Sequence, residues 1–104
     1  GGDAAVHALI ETLSRDVHLI RRGAIRGLDT ARDPAAIPAL ANVLDDPDRK
    51  VRRLATDALE RFGEAAVESL KEALARTDAH NSRRREALQQ ILNSVQKLSQ
   101  GNRR

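Results

Sequence analysis

Apolar residues recur along this chain at i, i+3, i+4 and i+7, the spacing that gathers them on one side of a helix of about 3.6 residues per turn. Val6, Leu9, Ile10 and Leu13 show it first, and the same spacing returns to the end of the chain. The pattern predicts helices near 3–13, 16–29, 34–44, 47–62, 64–76 and 81–98. Punctuation supports these bounds. Asp33-Pro34 sets a capping side chain before a proline at a first helical position, Gly63 follows Phe62 as a stop, and Asn81-Ser82 offers caps. No stretch alternates as a strand would, and connections this short make neighbouring helices antiparallel. The expectation is an all-α chain.

The helices repeat in pairs. Ala4-Ala5-Val6-His7-Ala8-Leu9 with Leu13 recurs as Ala35-Ala36-Ile37-Pro38-Ala39-Leu40 with Leu44, then as Ala65-Ala66-Val67-Glu68-Ser69-Leu70 with Leu74, at offsets of 31 and 30 residues. Between these copies, Ile20-Arg21-Arg22 with Ala24 and Leu28 returns 31 residues later as Val51-Arg52-Arg53 with Ala55 and Leu59. A weaker third copy, Arg83-Arg84-Arg85 with Ala87 and Ile91, follows at 32 residues. One helix pair cannot cover its own apolar stripe, so stability accrues between neighbouring pairs. The expected domain is a single unit over 3–98, in three repeats of about 3–31, 34–62 and 64–98. Gly1-Gly2 reads as a tag remnant and 99–104 as a disordered tail.

These residues resemble the HEAT repeats, particularly the short bacterial kind also found in phycobilisome lyases, over residues 3 to about 98. That family tends to carry a proline in the first helix, an aspartate in the loop, and Val-Arg at the start of the second helix. Pro38, Asp46 and Val51-Arg52 supply all three. Repeat three keeps Asp78 and Arg84 but has Glu68 and Arg83 in place of the proline and valine. Repeat one keeps Arg21 but has His7 and Arg15 in place of the proline and aspartate. The resemblance implies a right-handed α-solenoid of three helix pairs with the second helices on its concave face. It also implies that Arg21, Arg52 and Arg84 form a stabilising ladder with loop aspartates, Asp46 pairing with Arg52 and Asp78 with Arg84.

Composition narrows the function. The 104 residues suffice for one small core. There is no Cys, which excludes a disulfide framework, a thiolate metal site and a Cys nucleophile. Phe62 is the single aromatic residue, so stacking platforms for bases have little to be built from. No apolar run suits a membrane span, and the Gly23/Gly27 pair is read as close helix packing, since Arg21, Arg22 and Arg26 beside it forbid a spanning helix. No secretory segment is evident, and the expected compartment is cytoplasmic.

The net charge is +3, and all but three of the 18 basic residues are arginine, the exceptions being Lys50, Lys71 and Lys97. The arginines concentrate on the second helices. With Val51, Ala55, Leu59 and Phe62 buried, Arg53 sits opposite the stripe at about 100° per residue and Arg49 close by, while Arg52 flanks it. Arg22, Arg53 and Arg85 are expected to point outward at repeat spacing, and with Arg26 and Arg49 they are the candidate partner-binding residues. A merely solvated charged face is the competing reading.

Two expectations concern the ends. Glu86 and Gln90, standing for Leu54 and Ala58 of repeat two, read as a polar terminal cap, while Leu88, Ile91, Leu92, Val95 and Leu98 either fold back over repeat three, the preferred reading, or receive a partner helix. Ala4, Ala5, Val6 and Ile10 look ready for a preceding repeat, which suggests a C-terminal piece of a longer protein and leaves oligomeric state open.

The expected function is a non-enzymatic scaffold module that binds an acidic protein segment, or neighbouring domains of its own chain, through a basic concave face. A phosphate-tracking nucleic-acid module is the main alternative and a bilin-lyase-like subunit a remote one. No cofactor or metal is expected. His7 and Glu11, at i and i+4, read as a surface helix pair rather than a metal site, and His18 and His80 as cap or loop residues. The deoxyhypusine hydroxylase that shares the resemblance binds iron through His-Glu pairs, and no His-Glu dipeptide occurs here.

Overall fold

The computed structural model describes the backbone of residues 2–12 and 18–101 and the side chains of 3–9 and 18–98. Leu13 and Arg15, the side chains of Ile10 and Glu11, the expected helix start at 16, and residues 102–104 of the expected tail lie outside the described residues. The elements are α1 (Gly2–Thr12), α2 (His18–Ala31), α3 (Ile37–Asn42), α4 (Arg49–Phe62), α5 (Val67–Arg76) and α6 (Ser82–Gly101), with no strand among the described residues. Helix α2 packs on α4 and α4 on α6, while α3 packs on α5 behind them. Three helix pairs thus stack in two layers, an α-solenoid.

Local chemistry sets the helix limits. Asp33 accepts a hydrogen bond from the Ala35 amide at 3.0 Å, as its capping role requires. The residues after it form a 3₁₀ turn, Pro34–Ala36, rather than the expected α-helix from 34. Pro38 has no N–H with which to reach the Pro34 carbonyl, so the Ile37 amide takes that carbonyl at the tighter spacing. Repeat three opens on the same turn, Gly63–Ala66, although Glu68 replaces the proline, so the departure leaves the entry geometry intact. Asp48 caps α4 by accepting from the Val51 amide at 3.0 Å, and Gly63 ends it at φ 58°, ψ −135°, a region that a side chain disfavours. Asn81 Oδ1 accepts from the Arg84 amide at 3.2 Å and caps α6. Helix α6 continues to Gly101, past the expected end at 98, because Ser99 and Gln100 do not break a helix.

The core runs through the stack. Ile25 and Leu28 of α2, Leu40 of α3, Val51, Ala55 and Leu59 of α4, Leu70 of α5, and Leu88 and Ile91 of α6 are all essentially inaccessible to solvent. Each large aliphatic side chain buried this way stabilises by about 1.5–3 kcal/mol relative to exposure. Leu88, Ile91, Leu92 and Val95 fold back over repeat three as preferred, and Leu98 alone of that stripe stays 71% exposed. Helix α1 contributes less. Ala4, Ala5 and Ala8 are exposed, Val6 and Leu9 partly so, and Leu19 and Ile20 at the start of α2 are 62% and 44% exposed.

The buried stripe corrects the expected register of α6. Ala55, Ala58 and Leu59 are matched by Leu88, Ile91 and Leu92, and Ala55 to Leu88 is 33 residues, not 32. Leucine at 88 fills the interior better than alanine at 87, and the one-residue phase shift turns every other side chain of α6 by about 100°.

Candidate partner-binding groove

Between α4 and α6 lies an open groove of about 500 Å³. Helix α4 contributes Arg49, Arg52, Arg53, Thr56 and Asp57; helix α6 contributes Arg83, Glu86, Ala87 and Gln90, with Leu44 completing the lining. Residues three and four apart on a helix share a face, which is why Arg49, Arg52 and Arg53 converge. Arg49, Arg52 and Arg83 belong to the first turns of the two helices, where the backbone amides also favour anions, and Arg53 opens the second turn of α4. Glu86 opens the second turn of α6 as Arg53 does that of α4, and Asp57 stands further along, in the third turn of α4.

The side chains of Arg49, Arg53 and Arg83 are exposed and make no ion pair or hydrogen bond among the described residues. Arg49 and Arg53 therefore stand where the sequence placed them. Arg83 is not among the contact residues expected from the sequence, and its orientation follows from the phase of α6. The Arg26 side chain is exposed and makes no ion pair or hydrogen bond among the described residues, while its carbonyl accepts from the Thr30 hydroxyl at 2.9 Å, but it does not line the groove.

Arg22 and Arg85 depart from expectation. Arg22 donates to both carboxylate oxygens of Asp48, at 2.9 and 3.0 Å, instead of pointing freely outward. Arg85 is exposed but outside the groove lining, because the one-residue shift carries it to another flank of α6. The same shift brings Glu86 and Gln90 into the groove facing α4, so they are not an outward cap. Leu54 and Ala58 lie on the opposite flank of α4, toward repeat one.

The arginine ladder is built between repeats and not within them. Arg21 of repeat one, 7% exposed, donates to both oxygens of Asp46 in repeat two at 2.8 and 3.0 Å. Asp46 thus takes Arg21 rather than the side chain of Arg52, whose Nη1 donates to the carbonyls of Asp46 and Pro47 at 2.7 and 3.1 Å. Arg84 reaches back to the Asn42 carbonyl and to Asp45, both at 3.1 Å, and not to Asp78. Its Nε is buried without a hydrogen-bond partner among the described residues. Asp78 accepts from the His80 amide at 2.8 Å, closing its own loop. Thr77 stands where a second rung would need a carboxylate, 25 residues after Arg52 as Asp46 is after Arg21.

Further polar joints went unread in the sequence. Asn81 Nδ2 donates to Asp45 at 2.7 Å, which ties the cap of α6 to the loop of repeat two. Arg61 of α4 donates through Nε and Nη2 to Asp29 of α2, and this raises its pKa. The run Asp45-Asp46-Pro47-Asp48 before a basic helix was the available signal for most of these pairings. The Arg22 hydrogen bonds hold the Asp48 carboxyl down to about 2, helped by the Val51 amide and by the nearby charges of Arg22 and His18. Burial pushes the Asp45 carboxyl up, but the Asn81 and Arg84 hydrogen bonds outweigh it and leave it below its ordinary value.

Among the described residues no group of three or more His, Cys, Asp or Glu could hold a metal ion, and no helix is long and apolar enough to cross a membrane. The His7–Glu11 pair is only half described, since the Glu11 side chain lies outside the described residues. What the groove offers chemically is a set of guanidinium forks for an anion.

No curated protein matches this chain in a sequence search. A family model of HEAT repeats matches residues 4–93, nearly the whole run of three helix pairs. The chain belongs to the HEAT-repeat family.

Proposed function

We propose that this chain is a non-enzymatic interaction module that holds an acidic protein segment in the groove between α4 and α6, on the concave face of the solenoid. HEAT repeats generally serve as protein-interaction scaffolds. The observation that carries the finer reading is the convergence of the Arg49, Arg53 and Arg83 side chains, exposed and without partners among the described residues, on one groove. Arg21, Arg22, Arg61 and Arg84 by contrast each hold a carboxylate of this chain. A groove with an excess of positive charge, here four arginines against Asp57 and Glu86, attracts and orients an anionic ligand.

The test is fluorescence anisotropy with a labelled glutamate-rich decapeptide, and with duplex and single-stranded DNA, across a salt series. The reading expects the peptide to bind and the Arg49→Glu/Arg53→Glu/Arg83→Glu variant to lose it with unchanged helical circular dichroism. Equal binding by the variant would dismiss the groove. Tighter DNA binding with a steep salt dependence would replace this reading with phosphate-backbone recognition.

A further inference from the structure

We infer that the groove between α4 and α6 takes a phosphorylated serine or threonine of the partner segment, with a lysine or arginine two to four residues away seated against Asp57 and Glu86. This rests on the reading of the groove as an acidic-ligand site and narrows it.

The narrowing comes from the two carboxylates. A plain run of Asp and Glu laid along the groove would satisfy Arg49, Arg53 and Arg83 and then press like charge against Glu86 and Asp57. A phosphoryl group concentrates nearly two negative charges and three acceptor oxygens on one head, which suits several guanidinium forks gathered at one end. Arg52 completes that end, although its Nη1 already donates to two carbonyls. Recognition of phosphorylated segments by arginine clusters uses this arrangement.

The spacing of the second contact follows from helix geometry. Arg53 to Asp57 is four residues and Arg49 to Asp57 eight, or about 6 and 12 Å at the rise of a helix. An extended peptide covers that span in about two to four residues. A cation at that distance on the partner meets the carboxylates, and one next to the phosphoryl group meets arginine instead. Nucleic acid fits less well, since its phosphates continue past the arginine end into the acids. Phe62, the single aromatic residue, is absent from the groove lining, so nothing there stacks a base.

The experiment is selection by the immobilised full chain from three peptide libraries with degenerate flanks and a fixed central phosphoserine, serine or glutamate. Anisotropy on the recovered sequences, with the glutamate-rich decapeptide alongside, gives the affinities. The expected result is retention of the phosphoserine library, with lysine or arginine enriched two to four residues from the phosphoserine and roughly tenfold tighter binding than the serine or glutamate forms. Arg53→Glu should abolish binding. Asp57→Lys/Glu86→Lys should erase the basic-residue preference while strengthening the glutamate-rich peptide.

If the glutamate-rich decapeptide binds as tightly as any phosphopeptide and Arg53→Glu removes it, the phosphoryl inference is overturned and the acidic-segment reading stands. If neither ligand responds to Arg53→Glu while circular dichroism shows the variant folded, both fall. If phosphoserine is retained without a basic preference, the role given to Asp57 and Glu86 is overturned.

Discussion

Arg22 and Asp48 close a two-pronged ion pair, at 2.9 and 3.0 Å, between the second helix of repeat one and the cap of α4 in repeat two. Asp48 therefore serves two structural purposes, since its Oδ2 also accepts from the Val51 amide. Arg22 and Arg53 look equivalent in sequence, each the second arginine after an apolar residue, yet only Arg22 has a carboxylate to hold. Arg22→Glu should lower Tm by several degrees through repulsion at the α4 cap, whereas Arg53→Glu should leave it nearly unchanged. Thermal melts of the two single variants check this, and equal shifts would contradict the distinction.

Acid should act first through these loop carboxylates. The Asp48 carboxyl lies at about 2 in the folded chain against an ordinary 3.8, and Asp45 is also lowered. A depressed folded pKa means stability that is fully present above the ordinary value and lost as pH falls through the folded one. Unfolding free energy should thus decline as pH falls from about 4 toward 2, and Asp48→Asn should flatten part of that decline. Urea titrations at a series of pH values measure both slopes. An unchanged slope in the variant would remove Asp48 from the acid response.

The buried pair Arg21–Asp46 makes a sharper prediction. Their side chains are 8% and 7% exposed, so removing either one strands a charge away from water. Arg21→Ala or Asp46→Ala should each destabilise by about 3–5 kcal/mol. Arg52→Ala, whose guanidinium hydrogen-bonds carbonyls at the half-buried edge of the loop, should cost about 1–2 kcal/mol. Denaturant unfolding ranks the three, and a larger loss for Arg52→Ala would restore it as the principal rung.

The reasons these pairings were hard to read are physical. The apolar spacing, Asp33 before Pro34, Gly63 after Phe62 and Asn81 before α6 are local signals, and each marks a helix limit in the structure. Choice of ion-pair partner is not local. Arg21 and Asp46 are 25 residues apart and meet only because α2 stacks on α4. In α6, aligning the arginine triplets put Ala87 in the stripe, while the volume of Leu88 put the core one residue later. The leucine stripe was legible, but its consequence for Arg83 and Arg85 required fixing the phase from burial. The groove residues Arg49 and Arg53 were legible because α4 has one unambiguous apolar face.

Glycines on α2 separate close approach from simple cost. A Cβ at Gly27 would meet the Leu9 methyls at 3.3 and 3.5 Å, whereas a Cβ at Gly23 meets nothing within 4 Å. Close packing thus explains Gly27 and not Gly23. Gly23→Ala should stabilise by about 0.5–1 kcal/mol, and Gly27→Ala should gain less because Leu9 has to shift. Gly63→Ala, at φ 58°, should lose about 1–3 kcal/mol. Chemical denaturation of the three single variants tests the order, and a stabilised Gly63→Ala would refute the backbone argument.

Repeat one should open before the others. None of the side chains described on α1 reaches the core, Leu9 only packs against its edge, and Gly23 and Gly27 lower the helix propensity of α2. The polar joints to repeat two, Arg21–Asp46, Arg22–Asp48 and Arg61–Asp29, all anchor α2, and no such ion pair joins α1 to repeat two among the described residues. Local opening follows the density of buried contacts, so amide exchange should be fastest in α1, intermediate in α2 and slowest in α4 and α6. Hydrogen exchange read by mass spectrometry resolves this order, and Gly23→Ala should slow α2 more than α1. Protection of α1 equal to that of α4 would mean that the stack unfolds as one unit, with the interface between repeats one and two as strong as that between two and three.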